Sequence, residues 1–148
     1  MSAPDAARLA DLTTILREHQ RFWGERDLRH LHHPLLVHEF GDTAFVRRAA
    51  DGTVAAYLFG FVTPARLGYV HLVAVRDDAR AAGHGRALYA HFAAVAAEAG
   101  ASGLKAITTP DNLGSIAFHR RMGFNVTAVP DYSGPGQPRL VLRRDLPW

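Results

Sequence analysis

A glycine-bearing turn between an apolar run and an amphipathic segment is the part of this chain best suited to chemistry. The run Leu72–Val75 is short and rich in valine, which predicts a buried strand. Gly83 and Gly85 follow it and open a segment with helical spacing. The first N–H groups of a helix lack partners within it and carry partial positive charge, so they attract anions. With Arg80 and Arg86 beside it, this turn predicts a pyrophosphate site.

Two common phosphate-binding motifs do not fit this turn. A P-loop needs Gly-Lys-Ser/Thr, whereas the chain has Gly85-Arg86-Ala87. A dinucleotide fingerprint needs Gly or Ala at its sixth position and an acidic residue about 20 positions later. The chain has Leu88 at that position and no carboxylate near Lys105. The stretch 80–85 instead fits the pattern Arg/Gln-x-x-Gly-x-Gly/Ala.

A second segment, 112–124, strengthens this interpretation. It opens on Asn112, contains Phe118-His119 and closes on Gly123-Phe124. In order and in spacing, the two segments resemble the coenzyme A segments of the GCN5-related N-acetyltransferase (GNAT) superfamily. The resemblance extends over about residues 36 to 144. It implies an α+β fold of three layers, with a mixed twisted sheet of six to seven strands, a splayed central parallel pair and about four flanking helices.

The hydrophobic pattern predicts the elements that must position these segments. At 148 residues, we expect one acetyltransferase domain over 1–148 with a single core. Apolar spacing predicts a helix over residues 3–20, then a short helix or loop that Pro34 ends. Asp51-Gly52 predicts a type I′ hairpin turn, and Gly60 a bulge. The remaining predicted elements are strands at 43–48, 54–61, 69–75 and 104–107, helices from Gly83 to Gly100 and from Asn112 to Gly123, and a closing hairpin of 124–129 with 139–144.

Composition excludes several classes of protein. The chain has no cysteine, so it has no disulfide framework, thiolate nucleophile or cysteine-ligated zinc. Its net charge is +3, from 17 basic and 14 acidic residues, which suits an anionic cofactor but does not support a nucleic-acid partner. There is no leader pattern and no apolar stretch of about 18 residues, so we expect a cytoplasmic protein without membrane contact.

The resemblance implies how acetyl-CoA, the expected co-substrate, is held. In the family the pantetheine arm pairs with the first of the two splayed strands, and the N–H groups of the turn hold the pyrophosphate. No metal is expected. The implied coenzyme-binding residues are Val73, Ala74, Val75, Arg80, Ala81, Ala82, Gly83, His84, Gly85, Arg86, Ala87, Asn112, Ser115, Phe118 and His119.

The resemblance also implies direct attack of an amine on the thioester. The oxyanion that forms needs a fixed donor, here the N–H of Val75. The family's usual acid is a tyrosine at the position of His119, so this chain departs from the pattern. His119 could protonate the leaving thiolate, or it could pack and hydrogen-bond the cofactor while water supplies the proton. Asn112, Ser115 and His119 are spaced to share one helix face.

An amine acceptor arrives mainly as ammonium, so a base is required. His71 is the first candidate, because strand alternation predicts that it shares a face with Val73 and Val75. Glu39, just before the first predicted strand, is the second. A water chain, as in some family members, is the third alternative.

The histidine-rich stretch around residues 30–38 lacks an acidic pair at ligand spacing, so it predicts an edge of the acceptor pocket and no metal site. Trp23, Phe40, Asp131 and Tyr132 could edge the same pocket, and rings with a carboxylate would suit a cationic acceptor.

We therefore predict an acetyl-CoA-dependent N-acetyltransferase acting on the primary amine of a small molecule or a peptide. One alternative is a non-catalytic acyl-CoA sensor on the same fold. Another is an acetyltransferase acting on nucleic-acid-linked amines, which would need a basic face around the pocket. The resemblance also allows a homodimer, with the closing hairpin as one interface.

Overall fold

The computed structural model describes residues 2–148. Within that range the chain forms five α-helices and one seven-stranded sheet, and no helix is long and apolar enough to cross a membrane. The helices are α1 (Leu9–Arg17), α2 (His19–Trp23), α3 (Leu35–His38), α4 (His84–Glu98) and α5 (Leu113–Arg121). The strands are β1 (Asp5–Ala6), β2 (Ala44–Arg48), β3 (Val54–Val62), β4 (Leu67–Val75), β5 (Gly103–Thr108), β6 (Asn125–Val129) and β7 (Arg139–Asp145).

The strands lie in the order β1-β2-β3-β4-β5-β7-β6. Only β4 and β5 are parallel, and the other neighbours are antiparallel. The parallel pair follows from α4, because a crossover helix returns the chain to the same end of the sheet. The α+β fold with a mixed sheet and a central parallel pair is confirmed, as is the closing hairpin, whose second strand β7 inserts beside β5.

Helices cover both faces of the sheet, which gives the three layers. On one face Leu88 and Phe92 of α4 are fully buried against β3, β4 and β5. On the other face Leu12 and Ile15 of α1 pack with Tyr57 of β3. The four-residue helix α3 raises the helix count from about four to five.

A β-bulge distorts the pairing of β3 with β4. Phe59 pairs with Leu72 and Gly60 pairs with Val70, so His71 has no partner in β3. The predicted bulge is therefore present at Gly60, and the extra residue is on β4. An extra residue shifts the alternation of side chains along the strand by one.

This shift overturns the prediction that His71 shares a face with Val73 and Val75. Val73 and Val75 pack against the α4 side of the sheet. His71 lies on the α1–α3 side, where its Nε2 is 3.0 Å from the carbonyl oxygen of Leu31 and its ring lies 6.4 Å from that of Phe61. Period-two alternation fails here because the bulge supplies one residue more than β3 can pair.

The N-terminal helix is shorter than the predicted 3–20. Asp5–Ala6 instead pairs with β2 as an edge strand. Helix α1 begins after Arg8, whose N–H donates to the carboxylate of Asp11 at 2.9 Å. The helical path breaks at Glu18, so that α2 starts as a separate helix. Pro34 ends the segment before it, as predicted, and also starts α3.

The hairpin at Asp51-Gly52 is confirmed, but its predicted type I′ turn is wrong. Type I′ needs positive φ at both central residues, and only Gly52, at 86°, has it. The loop is one residue longer: the N–H of Ala49 donates to the carbonyl of Thr53 at 2.8 Å. The Asp51 carboxylate accepts the N–H of Thr53 at 3.0 Å and so stabilises this alternative.

Candidate active site

The central parallel strands separate partway along their length. Pairing runs from Leu67 with Gly103 to Val70 with Ala106 and ends there, although β4 continues to Val75 and β5 to Thr108. The upper parts of the two strands therefore form an open V. An extended chain could enter this gap and pair with the free edge of β4.

Strand alternation decides which groups of β4 face the gap. The N–H of Arg76 donates to the carbonyl of Ala55 at 2.8 Å, on the β3 side. Successive residues of a strand point their backbone N–H and C=O groups to opposite sides. The backbone groups of Ala74 therefore also point towards β3, whereas those of Val73 and Val75 point into the gap. This arrangement fits the predicted pairing of Val73 and Val75 with an extended arm and gives Ala74 no direct backbone contact there.

The turn before α4 presents unpaired donors beside the gap. Within residues 2–148, the backbone N–H groups of 81–86 have no backbone carbonyl partner, whereas that of Ala87 donates to Gly83 at 3.1 Å. Ala81 and Gly83 have φ of 65° and 83°, and these left-handed conformations turn the N–H groups to one side. The donors and the free strand edge therefore fit the pyrophosphate and pantetheine arm of coenzyme A.

The side chains of the turn point in different directions. Arg80 is exposed, and its Nε donates to the carbonyl of Val75 at 3.4 Å. The His84 ring turns towards Arg47, and burial, followed by the nearby Arg47 charge, lowers the pKa of His84. Exposed Arg86 reaches across to α5. Of these, Arg80 is the cation placed nearest the gap.

Gly85 allows α4 and α5 to approach closely. A Cβ at this position would lie 2.7 Å from Cζ of Phe118, which is closer than two carbon atoms approach. Phe118 in turn packs against the α4 cluster. The predicted cofactor residue Phe118 therefore acts as a spacer under the turn.

Asn112 ties α5 to the end of β5. Its side-chain oxygen accepts the N–H of Ser115 at 3.4 Å, and its Nδ2 donates to the hydroxyl of Thr108 at 2.9 Å. Because Thr108 is the last residue of β5, the cap fixes α5 at the rim of the gap.

His119 is buried rather than open to the gap. Its side chain is 2% exposed. Its Nδ1 is 2.8 Å from the carbonyl of Ser115, so this nitrogen carries the hydrogen, and its Nε2 accepts the hydroxyl hydrogen of Tyr89 at 2.6 Å. Burial lowers the pKa of His119 and raises that of Tyr89. In this arrangement His119 is neutral and both ring nitrogens are in use.

A groove of about 540 Å³ lies at the edge of the α1–α3 side of the sheet. Aromatic rings dominate it, and Phe61 stacks on Tyr69 with centroids 5.4 Å apart. His71 donates from Nε2 to the carbonyl of Leu31, so Nδ1 keeps its lone pair. The lining residues are Phe61, Thr63, Ala65, Leu67, Tyr69, His71, Lys105 and Tyr132.

The other candidate base and the histidine-rich stretch lie elsewhere. Glu39 is exposed at the end of α3 and does not line the groove. His33 and His38 are exposed, whereas His32 is buried. In the part of the chain that the structure describes, no three histidine or acidic side chains converge on a metal-sized space. Of the predicted pocket residues, Tyr132 lines the groove, and Phe40 packs against Phe61 with ring centroids 5.2 Å apart and the rings tilted by 41°.

A buried polar network holds the segment above the sheet. The hydroxyl of Tyr57 accepts the indole N–H of Trp23 at 2.6 Å and donates to Nε2 of His32 at 2.7 Å. Nδ1–H of His32 donates to the carbonyl of Leu28 at 2.7 Å. Burial lowers the pKa of His32 to about 4 from its ordinary value of 6.5. The neutral ring therefore stabilises the fold.

Replacing His32 with glutamine is expected to lower the free energy of unfolding by about 2 kcal/mol at pH 7.5, because buried partners lose their bonds. The unfolded chain gains a proton at His32 below pH 6.5 that the folded chain resists until about pH 4. The wild type therefore loses this stabilisation as pH falls. The difference in the free energy of unfolding between wild type and variant is expected to shrink by at least about 1 kcal/mol at pH 5. Urea unfolding at both pH values measures this, with exposed His33→Gln as the control. A difference in the free energy of unfolding that does not change with pH would contradict this prediction.

Sequence reasoning missed three residues that contact other residues of the candidate site. Tyr89 lies four residues after Gly85, a spacing that places it on the buried face of α4. Arg26 donates to the hydroxyl of Thr109 at 2.6 Å and so links the loop after α2 to the rim. Lys105 lines the groove, and the feature of the sequence that could have pointed to it is that it is the only lysine. For Arg26 the sequence holds no signal.

The family model described as the acetyltransferase (GNAT) family matches residues 9–124. The chain belongs to the acetyltransferase (GNAT) family. This membership confirms the resemblance that the two motifs carried and the predicted class of enzyme, an N-acetyltransferase. A search of curated proteins finds no match.

Solved structures share the fold. Ard1 from Thermoplasma volcanium superposes with a TM-score of 0.81 at 21% identity over 99% of this chain and 98% of its own. A ribosomal-protein-alanine N-acetyltransferase from Brucella melitensis gives 0.71 at 25% identity over 98% and 100%. A nourseothricin acetyltransferase gives 0.64 at 29% identity over 70% and 65%. The chain is similar to each of these.

Proposed function

We propose that the protein uses acetyl-CoA to acetylate the primary amine of a small molecule or a peptide. The observation that carries this proposal is the open V between β4 and β5 with the unpaired N–H groups of 81–86 beside it. Bound there, acetyl-CoA would supply an acetyl group activated as a thioester. The similar proteins named above act on a ribosomal protein in one case and nourseothricin in another, which supports both kinds of acceptor.

Two groups of the chain serve the transfer. The N–H of Val75 faces the gap and is the donor for the charge that develops on the acetyl oxygen. Nδ1 of His71 first takes one proton from the acceptor ammonium. The neutral nitrogen then forms the bond to the acetyl carbon, the carbon–sulfur bond breaks, and the second proton that the nitrogen loses passes to water. The departing thiolate takes a proton from water. His71 fits the role of base because it lines the groove and its Nδ1 has no hydrogen-bond partner among residues 2–148.

His119 holds α5 against α4 and donates no proton in this proposal. Its Nδ1–H already binds the carbonyl of Ser115, and its Nε2 accepts from Tyr89. His119→Gln is therefore expected to lower the melting temperature by several degrees while kcat at 20 °C changes less than about threefold. Tyr89→Phe, which removes the same bond from the other side, is the matched variant. A fall in kcat of about 10²-fold with loss of one limb of the pH profile would restore His119 as the acid.

A non-catalytic acyl-CoA sensor remains the second candidate. It is favoured by the burial of His119, because the position of the family's acid then presents no proton to a thiolate. A sensor binds the cofactor without turnover, so the two candidates differ in one measurement.

Calorimetry with coenzyme A, followed by thiol release from acetyl-CoA with a panel of amines, tests the proposal. We expect uptake of one coenzyme A and thiol release that depends on an amine. Uptake without release across amino acids, peptides and aminoglycosides would favour the sensor. No uptake at all would overturn both candidates.

A further inference from the structure

Lys105 is the only lysine of the chain, and the other 16 of its 17 lysine and arginine residues are arginines. It lies half-buried on β5 and lines the groove beside Tyr69 and His71. Lysine is depleted from strands, so β5 itself does not call for it. Lysine differs from arginine in presenting a compact charge on a flexible stem. This position therefore needs an explanation beyond the fold.

The charge of Lys105 has no counter-charge. Among residues 2–148 it makes no ion pair with a carboxylate. The residue directly opposite it in β7 is Arg143, and like charges placed opposite each other destabilise a sheet. Its ammonium lies 5.5 Å from the ring centroid of Tyr132, which stabilises a cation but leaves it charged.

The carboxylates nearby are occupied or absent. No acidic residue lines the groove in the described part of the chain. Asp131, next to Tyr132, turns into its own loop and accepts the N–H of Gly136 at 3.0 Å. Among residues 2–148 five arginines make ion pairs with carboxylates, as Arg48 does with Asp11 at 3.0 Å. The groove therefore keeps a positive charge with no carboxylate among its lining residues.

We infer that Lys105 forms a carboxylate subsite of the groove, and that the acceptor is an amine whose molecule also bears a carboxylate. The inference rests on the proposed function, since the groove receives an acceptor only if the chain acetylates amines. It replaces the interpretation, drawn from the aromatic residues and Asp131 in the sequence, that the pocket suits a cationic acceptor, because the lining holds a lysine and no carboxylate.

The spacing along the strands favours a peptide as the source of the carboxylate. Lys105 pairs with Tyr69, two residues before His71, which corresponds to about 7 Å at the usual rise of a strand. In an extended peptide, an acidic side chain at the second residue spans about this distance from the terminal amine. The α-carboxylate of a free amino acid lies nearer its amine. Both sources carry the same group, and the experiment separates them.

The experiment compares acceptors that differ only in charge. Thiol release is measured with peptides that begin Ala-Asp, Ala-Asn and Ala-Lys, and with free aspartate, glutamate and alanine. We expect kcat/KM for Ala-Asp to exceed that for Ala-Asn by about tenfold and that for Ala-Lys by more. Higher kcat/KM for the free amino acids than for the peptides would identify the α-carboxylate as the source.

Variants connect the preference to Lys105. Lys105→Met keeps the length of the side chain and is expected to abolish the preference, so that the ratio of kcat/KM for Ala-Asp to that for Ala-Asn falls from about tenfold to about one. Lys105→Glu is expected to reverse the order in favour of Ala-Lys. Arg139→Met is the control, because Arg139 is a cation on β7 outside the groove.

Binding of the acetylated peptides to the full chain with coenzyme A, measured by calorimetry, needs no turnover. If no amine releases thiol but acetylated Ala-Asp still binds about tenfold more tightly than acetylated Ala-Asn, the proposed function fails and the carboxylate subsite stands. If Ala-Asp and Ala-Asn peptides react and bind equally, the subsite fails and the proposed function stands.

Discussion

Replacing His71 with glutamine is expected to lower kcat by about 10²-fold near neutral pH, with little change in coenzyme A binding. Glutamine keeps a donor for the carbonyl of Leu31, so the bulge in β4 and the groove retain their shape. It lacks the free lone pair of Nδ1 that takes the proton from the acceptor. Steady-state thiol release together with calorimetry measures the two effects separately.

The pH dependence gives this variant a signature that a structural defect would lack. An acceptor amine becomes neutral above its own pKa, about 8 for a terminal amine and about 10.4 for a lysine side chain, and then needs no base. The deficit of His71→Gln should therefore shrink as pH rises past that value. His38→Gln, an exposed histidine outside the groove, is the matched control.

Glu39→Gln distinguishes the second candidate base. Since Glu39 is exposed and outside the groove, we expect its variant to retain wild-type kcat. A large loss in Glu39→Gln with none in His71→Gln would transfer the role of base to Glu39 and refute the assignment.

Replacing Gly85 with valine is expected to weaken coenzyme A binding by up to about 10²-fold. A Cβ at Gly85 would lie 2.7 Å from Cζ of Phe118, so α4 and α5 must move apart. Overpacking of this kind costs about 1–3 kcal/mol, and each 1.4 kcal/mol corresponds to a tenfold change in affinity. Because the free N–H groups of 81–86 belong to the same turn, the displacement reaches the pyrophosphate site directly.

Gly114→Val is the matched control, because Gly114 lies in the first turn of α5 with open space around its Cβ direction. It is expected to cost only the helix propensity of valine, and coenzyme A affinity should stay within about threefold. Phe118→Ala combined with Gly85→Val is expected to recover part of the lost affinity, since it removes the clashing ring. Wild-type affinity in Gly85→Val alone would contradict the role of this contact.

Much of the fold could be predicted because its signals are local. The valine-rich strand, the glycines at the start of α4 and the cap at Asn112 each depend on neighbours within a few residues. The parallel pairing of β4 with β5 followed from the helix between them. The splay of the pair came from the family resemblance, and the structure shows where pairing stops, at Val70 with Ala106.

Three of the failures share one physical cause, which is that contacts distant in sequence override the local pattern. A helix was predicted over 3–20, but residues 5–6 gain hydrogen bonds by pairing with the edge strand β2. His71 was placed on the wrong face because the bulge at Gly60 depends on how two strands pair. His119 occupied the position of the family's acid, and only the packing of α4 against α5 showed that Tyr89 and Ser115 take both of its nitrogens.

By itself the sequence determined the two coenzyme A segments, the order of the elements and the family, because these depend on residue type and spacing along one chain. Tertiary structure alone decided which side chains meet in the groove. Lys105 and His71 lie 34 positions apart in the chain, yet both line one groove because β4 and β5 are adjacent and the bulge turns His71 towards it. Such convergence depends on strand register and side-chain burial, which no spacing within a single segment specifies.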